Sequence, residues 1–539
     1  MPLLFAVIMV AGMFLGYRLH DTLRGKRTAQ ESIQRNDRLE GIIDLINAQY
    51  VDSISSNALY ADAVKGVLSH LDPHTVYIPA DQLGGMNEDL EGKFFGIGIE
   101  YAIFRDTLTV TAVVQEGPAS KAGVAIGDQF IKVGNAVVAG VGIETDSIVH
   151  LLRGSQKSII PVTVRNTIGQ ERIVQITRDE VPIYSIDAGI MLDAQTGYIR
   201  INRFAANTYS EFTTALKGLK KSGAKNLIID LRENPGGYLE AATDVADEVI
   251  DGDKLLVYTN GIHSGKQEYN AGKSGLMEEG RLAVLVDENS ASAAEILAGA
   301  IQDWDRGVII GRRTFGKGLV QEQFDLDDGS ALRLTIARYY TPSGRSIQRS
   351  FAGGKDAYEQ AYEKRYTSGE LTGNDSIVKE DTARYYTAHH RLVRGGGGIK
   401  PDVYVPYDST RFTSGIINLL GSEELQQVVW NYYRAHATAL RNFNTPDQFA
   451  KGFMDAPAIL QTFLNNAPSA ERTVGKAALA RGNNNAWMLA QIRARLARIL
   501  FSNNGYYLLA APADDELQRA LQIINNPQQY LGLIRGQSR

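Results

Sequence analysis

Three short segments of this 539-residue chain hold residue types suited to acyl chemistry. In the first, Val286-Asp-Glu-Asn-Ser290-Ala-Ser292-Ala-Ala-Glu295-Ile, an apolar strand runs into small residues and then into the start of a helix. Small residues let another chain approach closely, and the unpaired amides of a helix start stabilise an anion. Ser292 at this junction suits a nucleophile whose oxyanion donor is the next amide, that of Ala293; a plain serine N-cap is the structural alternative. The second segment, Asp230-Leu-Arg232-Glu-Asn234-Pro-Gly236-Gly237, also follows an apolar strand. Its Pro-Gly-Gly turn exposes backbone amides and suits either a second oxyanion donor or an ordinary tight connection. The third, Gly311-Arg-Arg-Thr-Phe-Gly316-Lys317-Gly318, has the spacing of a phosphate loop. Gly318 stands where a magnesium-binding Ser or Thr belongs, and Leu319–Leu326 alternates like a strand instead of opening a helix, so no nucleotide site is expected. What survives is a lysine held between two glycines at the end of a core strand.

A nucleophilic serine needs a base. None of the eight histidines lies in a motif, no G-x-S-x-G elbow is present, and no His or carboxylate spacing makes a zinc or calcium site. Cysteine is absent, which removes thiol nucleophiles, disulfides and thiolate metal sites. Lys317 is the remaining candidate. The formal net charge of −5 offers no basic excess to neutralise phosphates, which excludes a dedicated polyanion binder.

The elements that must position these residues follow from the apolar pattern. From Pro182 to about Tyr340, buried strands (Asn226–Asp230, Leu282–Val286, Gly307–Ile310) alternate with helices such as Leu239–Ile250, which predicts a mixed α/β core over 182–349 that resumes at 398–407. Residues 92–181 carry short alternating runs with Gly and Pro turns, a β-rich module. Residues 28–91 read as helical, with apolar spacing through Leu39, Ile42, Leu45 and Ile46. Residues 350–397 are polar and Tyr-rich and look like a surface insertion; 408–539 is a helical C-terminal domain, with helices expected over Ser422–Arg441 and Asn485–Phe501. The uncharged run Leu3–Tyr17, followed by Arg18, Arg24, Lys26 and Arg27, suits a short signal anchor, so residues 1–27 are set apart from the soluble fold. Its basic flank lies after the run, which by the positive-inside rule would place the body in the cytoplasm.

Taken together, the three segments resemble the carboxy-terminal processing peptidases, also called tail-specific proteases. The family's S-A-S-A-S-E-I-like segment corresponds to Ser290–Ile296, with the middle serine, Ser292, as nucleophile. F-G-K-G-x-V-Q corresponds to Phe315–Gln321, with Lys317 as general base and Gln321 orienting it; the two segments have the family's separation. D-L-R-x-N-P-G-G appears at Asp230–Gly237, Y-x-T-P-x-G-x-x-I-Q at Tyr339–Gln348, G-I-x-P-D at Gly398–Asp402, and the loop Leu71-Asp72-Pro73-His74 also fits. Ala294 stands where the family often has a third serine. The resemblance spans roughly residues 35–407. Within 92–181, Phe95-Gly96-Ile97-Gly98-Ile99, Gly117-Pro118-Ala119 and Gly127-Asp128 resemble a bacterial PDZ domain, in which amides of the loop Gly96, Ile97, Gly98 and Ile99 would receive a peptide carboxylate while the peptide adds as a strand.

The resemblance implies a multidomain α+β protein with a crotonase- or Clp-protease-like core, an inserted PDZ domain and helical ends. It implies a serine endopeptidase that engages polypeptides by their C-terminal tails, with Ala293 and either Gly236 or Gly237 as oxyanion donors, and no metal or organic cofactor. An extracytoplasmic position in a bacterial envelope, held by the N-terminal segment, is expected, with homo-oligomer or adaptor contacts through the C-terminal helices. Two rivals are a non-catalytic PDZ scaffold of the envelope, for which the intact Ser292 and Lys317 have no use, and an acyl-CoA hydratase-like enzyme, which lacks an obvious carboxylate base here.

Overall fold

The computed structural model describes residues 38–373, 383–409, 411, 413–467 and 469–536. The run Leu3–Tyr17 lies outside them, and among the described residues no helix is long and apolar enough to cross a membrane. The described residues divide into two compact units, one up to Tyr77 and one from Ile78 onward. In the first, residues 38–49 and α1 (Ser56–Leu68) are helical. On the 38–49 helix Ile43 is the buried residue, while Leu39, Ile42 and Leu45 of the predicted stripe are exposed. The Asp72 carboxylate accepts from the amides of His74 at 2.9 Å and Thr75 at 3.1 Å, which sets the turn of that loop.

The second unit opens with α2 (Ala80–Glu91), stopped by Gly92 at φ 73°, where a Cβ would collide with the Asn207 side chain. A β-rich module follows. Strand β1 (Lys93–Gly96) leads into β2 (Ile99–Ile103), β3 (Leu108–Val113) and β4 (Gln129–Val133), then helix α3 (Thr145–Leu152), β5 (Ile159–Arg165), β6 (Glu171–Thr177) and β7 (Asp179–Pro182). The sheet runs β2-β3-β4-β5-β6 with antiparallel neighbours, and β1 pairs with β7, tying the module's start to its end. Alternation in β5 turns Ile160, Val162 and Val164 inward onto Phe130, Ile176 and, from α3, Ile148 and Leu152.

From residue 183 the chain lays down β8 (Ile186–Met191), β9 (Thr196–Ile201), α4 (Thr208–Lys221), β10 (Asn226–Asp230), α5 (Leu239–Asp247), β11 (Leu255–Gly261), β12 (Gly265–Asn270), β13 (Leu282–Val286), α6 (Ala293–Asp303), β14 (Val308–Gly311), β15 (Leu319–Asp325) and β16 (Ala331–Tyr340). The main sheet has the order β8-β9-β10-β13-β14 and is completed by β17 (Val403–Tyr404); every pair is parallel except β8 with β9. Every residue of β9, β10, β13 and β14 is buried, as a parallel sheet covered on both faces requires. Helices α4, α5 and α6 cover one face. A second sheet pairs β16 with both β11 and β15, and β11 with β12.

The polar insertion carries a helix, α7 (Gly354–Thr367), that lies at the surface with most of its residues exposed and is anchored by two buried ones, Tyr358 and Arg365. One expectation changes: the C-terminal region divides. Helix α8 (Glu423–Leu440) starts where predicted, on a Ser422 cap that accepts from the Leu425 amide at 3.2 Å, and joins a helical cluster of its own with Phe449, Phe463 and Ile492. Helix α9 (Asn484–Ala510) breaks at Phe501 and Ser502, the predicted stop, then resumes. Beyond it α10 (Asp515–Ile524) and α11 (Pro527–Arg535) set Leu517, Ala520, Ile523, Ile524 and Tyr530 against Ile228, Ala283, Leu285 and Ile310, covering the second face of the main sheet. A sheet with two apolar faces needs that cover, and the end of the chain supplies it.

Candidate active site

Ser292 sits at the turn between β13 and α6. Its φ of 53° and ψ of −116° are strained for a residue with a Cβ, the kind of backbone outlier that concentrates at functional sites. The strain is held from several directions. Ser290, fully buried, donates its hydroxyl to the Leu231 carbonyl at 2.8 Å and receives the Asp287 amide at 2.9 Å. The Ala291 amide donates to the Asn234 carbonyl at 2.9 Å. Three residues into the helix, Glu295 reaches back to the Ser292 amide at 2.9 Å, the reciprocal half of a capping box.

Glu295 also organises the lysine. The amides of Ser292 and Lys317 donate to the same carboxylate oxygen, Oε2, at 2.9 and 2.8 Å, so the two backbones lie within a few ångströms of each other. The other oxygen receives the Thr314 hydroxyl at 2.5 Å and the Gly316 amide at 2.8 Å. On the carbonyl side the Tyr339 hydroxyl donates to Lys317 O at 2.8 Å and lies 3.2 Å from Ser292 O. Burial lifts the Tyr339 phenol well above its ordinary range, with the Glu295 charge adding to it, so it remains a donor. Burial likewise raises the Glu295 carboxyl, against the hydrogen bonds it accepts. Gln348 accepts from the Gly318 amide at 2.8 Å and completes the frame of the lysine loop.

The Lys317 amine donates to Gln321 Oε1 at 2.9 Å. Residues four apart in a straight strand lie about 13 Å apart, so the contact needs a bend. Lys317 precedes β15, and the β15–β16 register slips between Val320 and Gln321. Ser292, Lys317 and Gln321 are all half-buried and line one cleft of about 960 Å³, with Ala293, Gly236 and Gly237. Leu239, Ile296, Leu319 and Tyr339 give its floor apolar surface, and Arg200, Glu233, Glu240 and Arg333 are among its polar residues.

The two candidate glycines differ. The Gly236 amide is committed to Asn234 Oδ1 at 2.8 Å, while that of Gly237 donates to no protein acceptor among the described residues, and neither does that of Ala293. Gly236 therefore does not offer the donor expected of it. Its part is steric, because a Cβ there would lie 2.7 Å from Ser292 Cβ and 2.9 Å from the Ala293 nitrogen. Behind this turn lies Asp230, fully buried; burial alone would raise its carboxyl, but Arg232 and Arg200 beside it hold it well below the usual carboxylate range.

In the β-rich module the amides of Ile97 and Gly98 donate to no acceptor among the described residues, while their carbonyls accept from Ala119 and Val114. Gly96 pairs in β1, and Ile99 begins β2, an edge strand. The four residues thus form a strand-loop-strand corner with two unspent amides. Glu295, Tyr339, Thr314 and Gln348 were not assigned roles from sequence. Only Glu295 carried a local signal, the S-x-x-E spacing from Ser292.

The profile of peptidase family S41 matches residues 195–356. The carboxy-terminal-processing protease of Bartonella bacilliformis is 31% identical over 381 residues, covering 69% of this chain and 87% of that protein. The carboxy-terminal processing protease CtpA of Bacillus subtilis is 30% identical over 348 residues, covering 64% of this chain and 74% of that protein. Among solved structures, a photosystem II D1 C-terminal processing protease is 26% identical and covers 71% of this chain and 97% of that one, with a TM-score of 0.35.

Proposed function

Because the chain belongs to the carboxy-terminal processing proteases of peptidase family S41, we propose that it is a serine endopeptidase in which Ser292 is the nucleophile and Lys317 the general base. Ser292 Oγ attacks the scissile carbonyl as the neutral Lys317 amine takes its proton. The oxyanion of the tetrahedral intermediate accepts from the Ala293 and Gly237 amides, each worth roughly 3–4 kcal/mol in comparable sites. Collapse expels the amine half of the substrate, protonated by Lys317, and leaves an acyl-serine. The freed lysine then activates a water that hydrolyses the ester and restores the hydroxyl. Gln321, accepting from the amine, orients it toward Ser292. The observation that carries this reading is the single Glu295 oxygen on which the Ser292 and Lys317 amides converge. A scaffold has no use for a strained serine tied in this way to a lysine.

Substrates are polypeptides held by a free C-terminus: the carboxylate takes the Ile97 and Gly98 amides and the preceding residues extend the sheet along β2. The run Leu3–Tyr17 supports placing the enzyme at the cell envelope. The test is cleavage of an unfolded polypeptide. Ser292→Ala and Lys317→Arg should fold and cleave nothing, since an arginine side chain does not deprotonate near neutral pH. Near-normal turnover by Lys317→Arg would eliminate the lysine as base.

A further inference from the structure

Helix α7 and the short turn Glu370–Thr372 come from the polar, Tyr-rich stretch that the proposed chemistry leaves without a task. They lie against residues 313–316, the approach to Lys317. Arg365, 3% exposed, donates from Nη2 to the Arg313 carbonyl at 2.5 Å and from Nη1 to the Thr314 carbonyl at 3.0 Å. Its Nε donates to Glu370 Oε1 at 3.0 Å, and Glu370 also receives Arg313 through Nε and Nη2, both at 3.0 Å. A second contact is aromatic: the Phe315 ring lies 5.1 Å from Tyr362 and 6.3 Å from Tyr358, and the Arg349 guanidinium sits 3.8 Å over Tyr358 and 4.8 Å from Phe315. A third reaches the nucleophile's own turn, where the Tyr362 hydroxyl donates to Asn289 Oδ1.

We infer that α7 is a brace for the general-base loop and that Arg365 is a positioning residue of the protease. Apolar packing alone would hold a helix against this surface. One planar guanidinium bonded to two successive carbonyls does something further, because it fixes the orientation of both peptide planes. The fixed peptide belongs to Thr314, whose hydroxyl bonds the Glu295 oxygen opposite the one shared by Ser292 and Lys317. Arg365 therefore acts on the lysine through Thr314 and Glu295 and touches no substrate. The inference rests on Lys317 being the base.

The test uses the full chain and two readouts, steady-state cleavage of an unfolded polypeptide and the rate at which a fluorophosphonate probe labels Ser292 across pH. Arg365→Gln should lower kcat and the labelling rate by roughly 10–100-fold, the cost of a misplacement of about an ångström, with KM within about twofold of wild type. Its pH midpoint for labelling should shift, and Arg365→Lys, able to reach one carbonyl, should recover part of the loss. Glu363→Ala, exposed on the same helix, should change neither readout. A folded Arg365→Gln with wild-type kcat and labelling overturns the brace. Should that variant not fold, Tyr362→Phe decides the matter: slower labelling at unchanged KM supports the brace, and wild-type labelling overturns it. Failure of the base assignment shows separately, as unimpaired labelling of Lys317→Ala.

Discussion

Replacing Glu295 by glutamine tests whether one buried carboxylate sets the geometry of both the Ser292 and the Lys317 segments. The side chain keeps its length, but one acceptor oxygen becomes a donor NH₂. Oε1 faces the Thr314 hydroxyl and the Gly316 amide, and Oε2 faces the Ser292 and Lys317 amides, so either orientation sets the NH₂ against two donors. The Thr314 hydroxyl has a second lone pair beside the one that accepts from the Ile399 amide at 2.6 Å and can turn to accept from the NH₂, but the backbone amides cannot reverse, so at least one of them stays unmet in either orientation. Each unmet buried donor costs about 1–3 kcal/mol, and removing a buried charge returns part of that, leaving a net loss of about 2–4 kcal/mol. The Ser292 and Lys317 backbones lose their common anchor, for which roughly a hundredfold fall in kcat is expected. Urea unfolding and the probe-labelling rate measure the two effects. Wild-type labelling in a folded Glu295→Gln protein would refute the argument. Acidification offers an independent check of sign. Because burial raises this carboxyl, the folded chain takes up the proton more readily than the unfolded one, so this group's contribution to stability grows as pH falls while the clamp loses an acceptor. Activity should therefore decline on acidification without this group weakening the fold.

Ser290→Ala removes the hydroxyl that joins Leu231 to Asp287; about 1–3 kcal/mol of stability should be lost in a urea melt while Ser292 remains reactive, the reverse of Ser292→Ala. Asp230→Asn should carry a stability penalty that is constant from neutral pH down to about 4, the ordinary carboxylate value, and that narrows below it as the unfolded wild-type chain takes up the proton; a constant penalty at every pH would contradict the ion-pair account. Amidating the C-terminus of a peptide substrate removes a charge-assisted contact with the Ile97–Gly98 corner worth about 1.5–3 kcal/mol, read as a rise in KM of roughly ten- to a hundredfold; equal KM for acid and amide would show that the module reads something else.

What could be read from the sequence was what is local. A buried strand ending in small residues, a serine three residues before a glutamate, and the start of a helix are adjacent in the chain, so Ser292 and its helix were visible, as was the glycine-framed Lys317 in the loop after the next strand. The choice between Gly236 and Gly237 was not, because it depends on where the Asn234 amide group points. Tyr339 lies 47 residues from Ser292, and nothing near it marks its hydroxyl as the bridge between two carbonyls. The anchoring of helix α7 was not legible because composition reports polarity and not pairing: Arg365 is polar and nevertheless buried, its charge matched by Glu370 and its donors by carbonyls. The apolar faces of β10 and β13 announced that they would be covered on both sides, without saying by what.

That cover carries a charge pattern with its own consequence. Arg232, two residues beyond β10, meets Asp514 at 2.7 Å and Glu516 at 2.5 Å, and Glu516 is also paired with Arg312, which follows β14. Arg312 in turn meets Glu288 at 2.8 Å, beyond the end of β13. Buried ion pairs seldom stabilise a fold more than apolar packing of the same volume, so stability is a weak reason for their presence. Register is a better one. An apolar face of Leu517, Ala520 and Ile523 tolerates sliding along a sheet of Val, Ile and Leu, whereas a carboxylate shared by two arginines has one position. The start of α10 is thereby fixed against the ends of three neighbouring strands, which carry the Pro-Gly-Gly turn, the Ser292 turn and the approach to Lys317. The last helices of the chain are thus part of the site's foundation, although none of their residues bears on the chemistry itself.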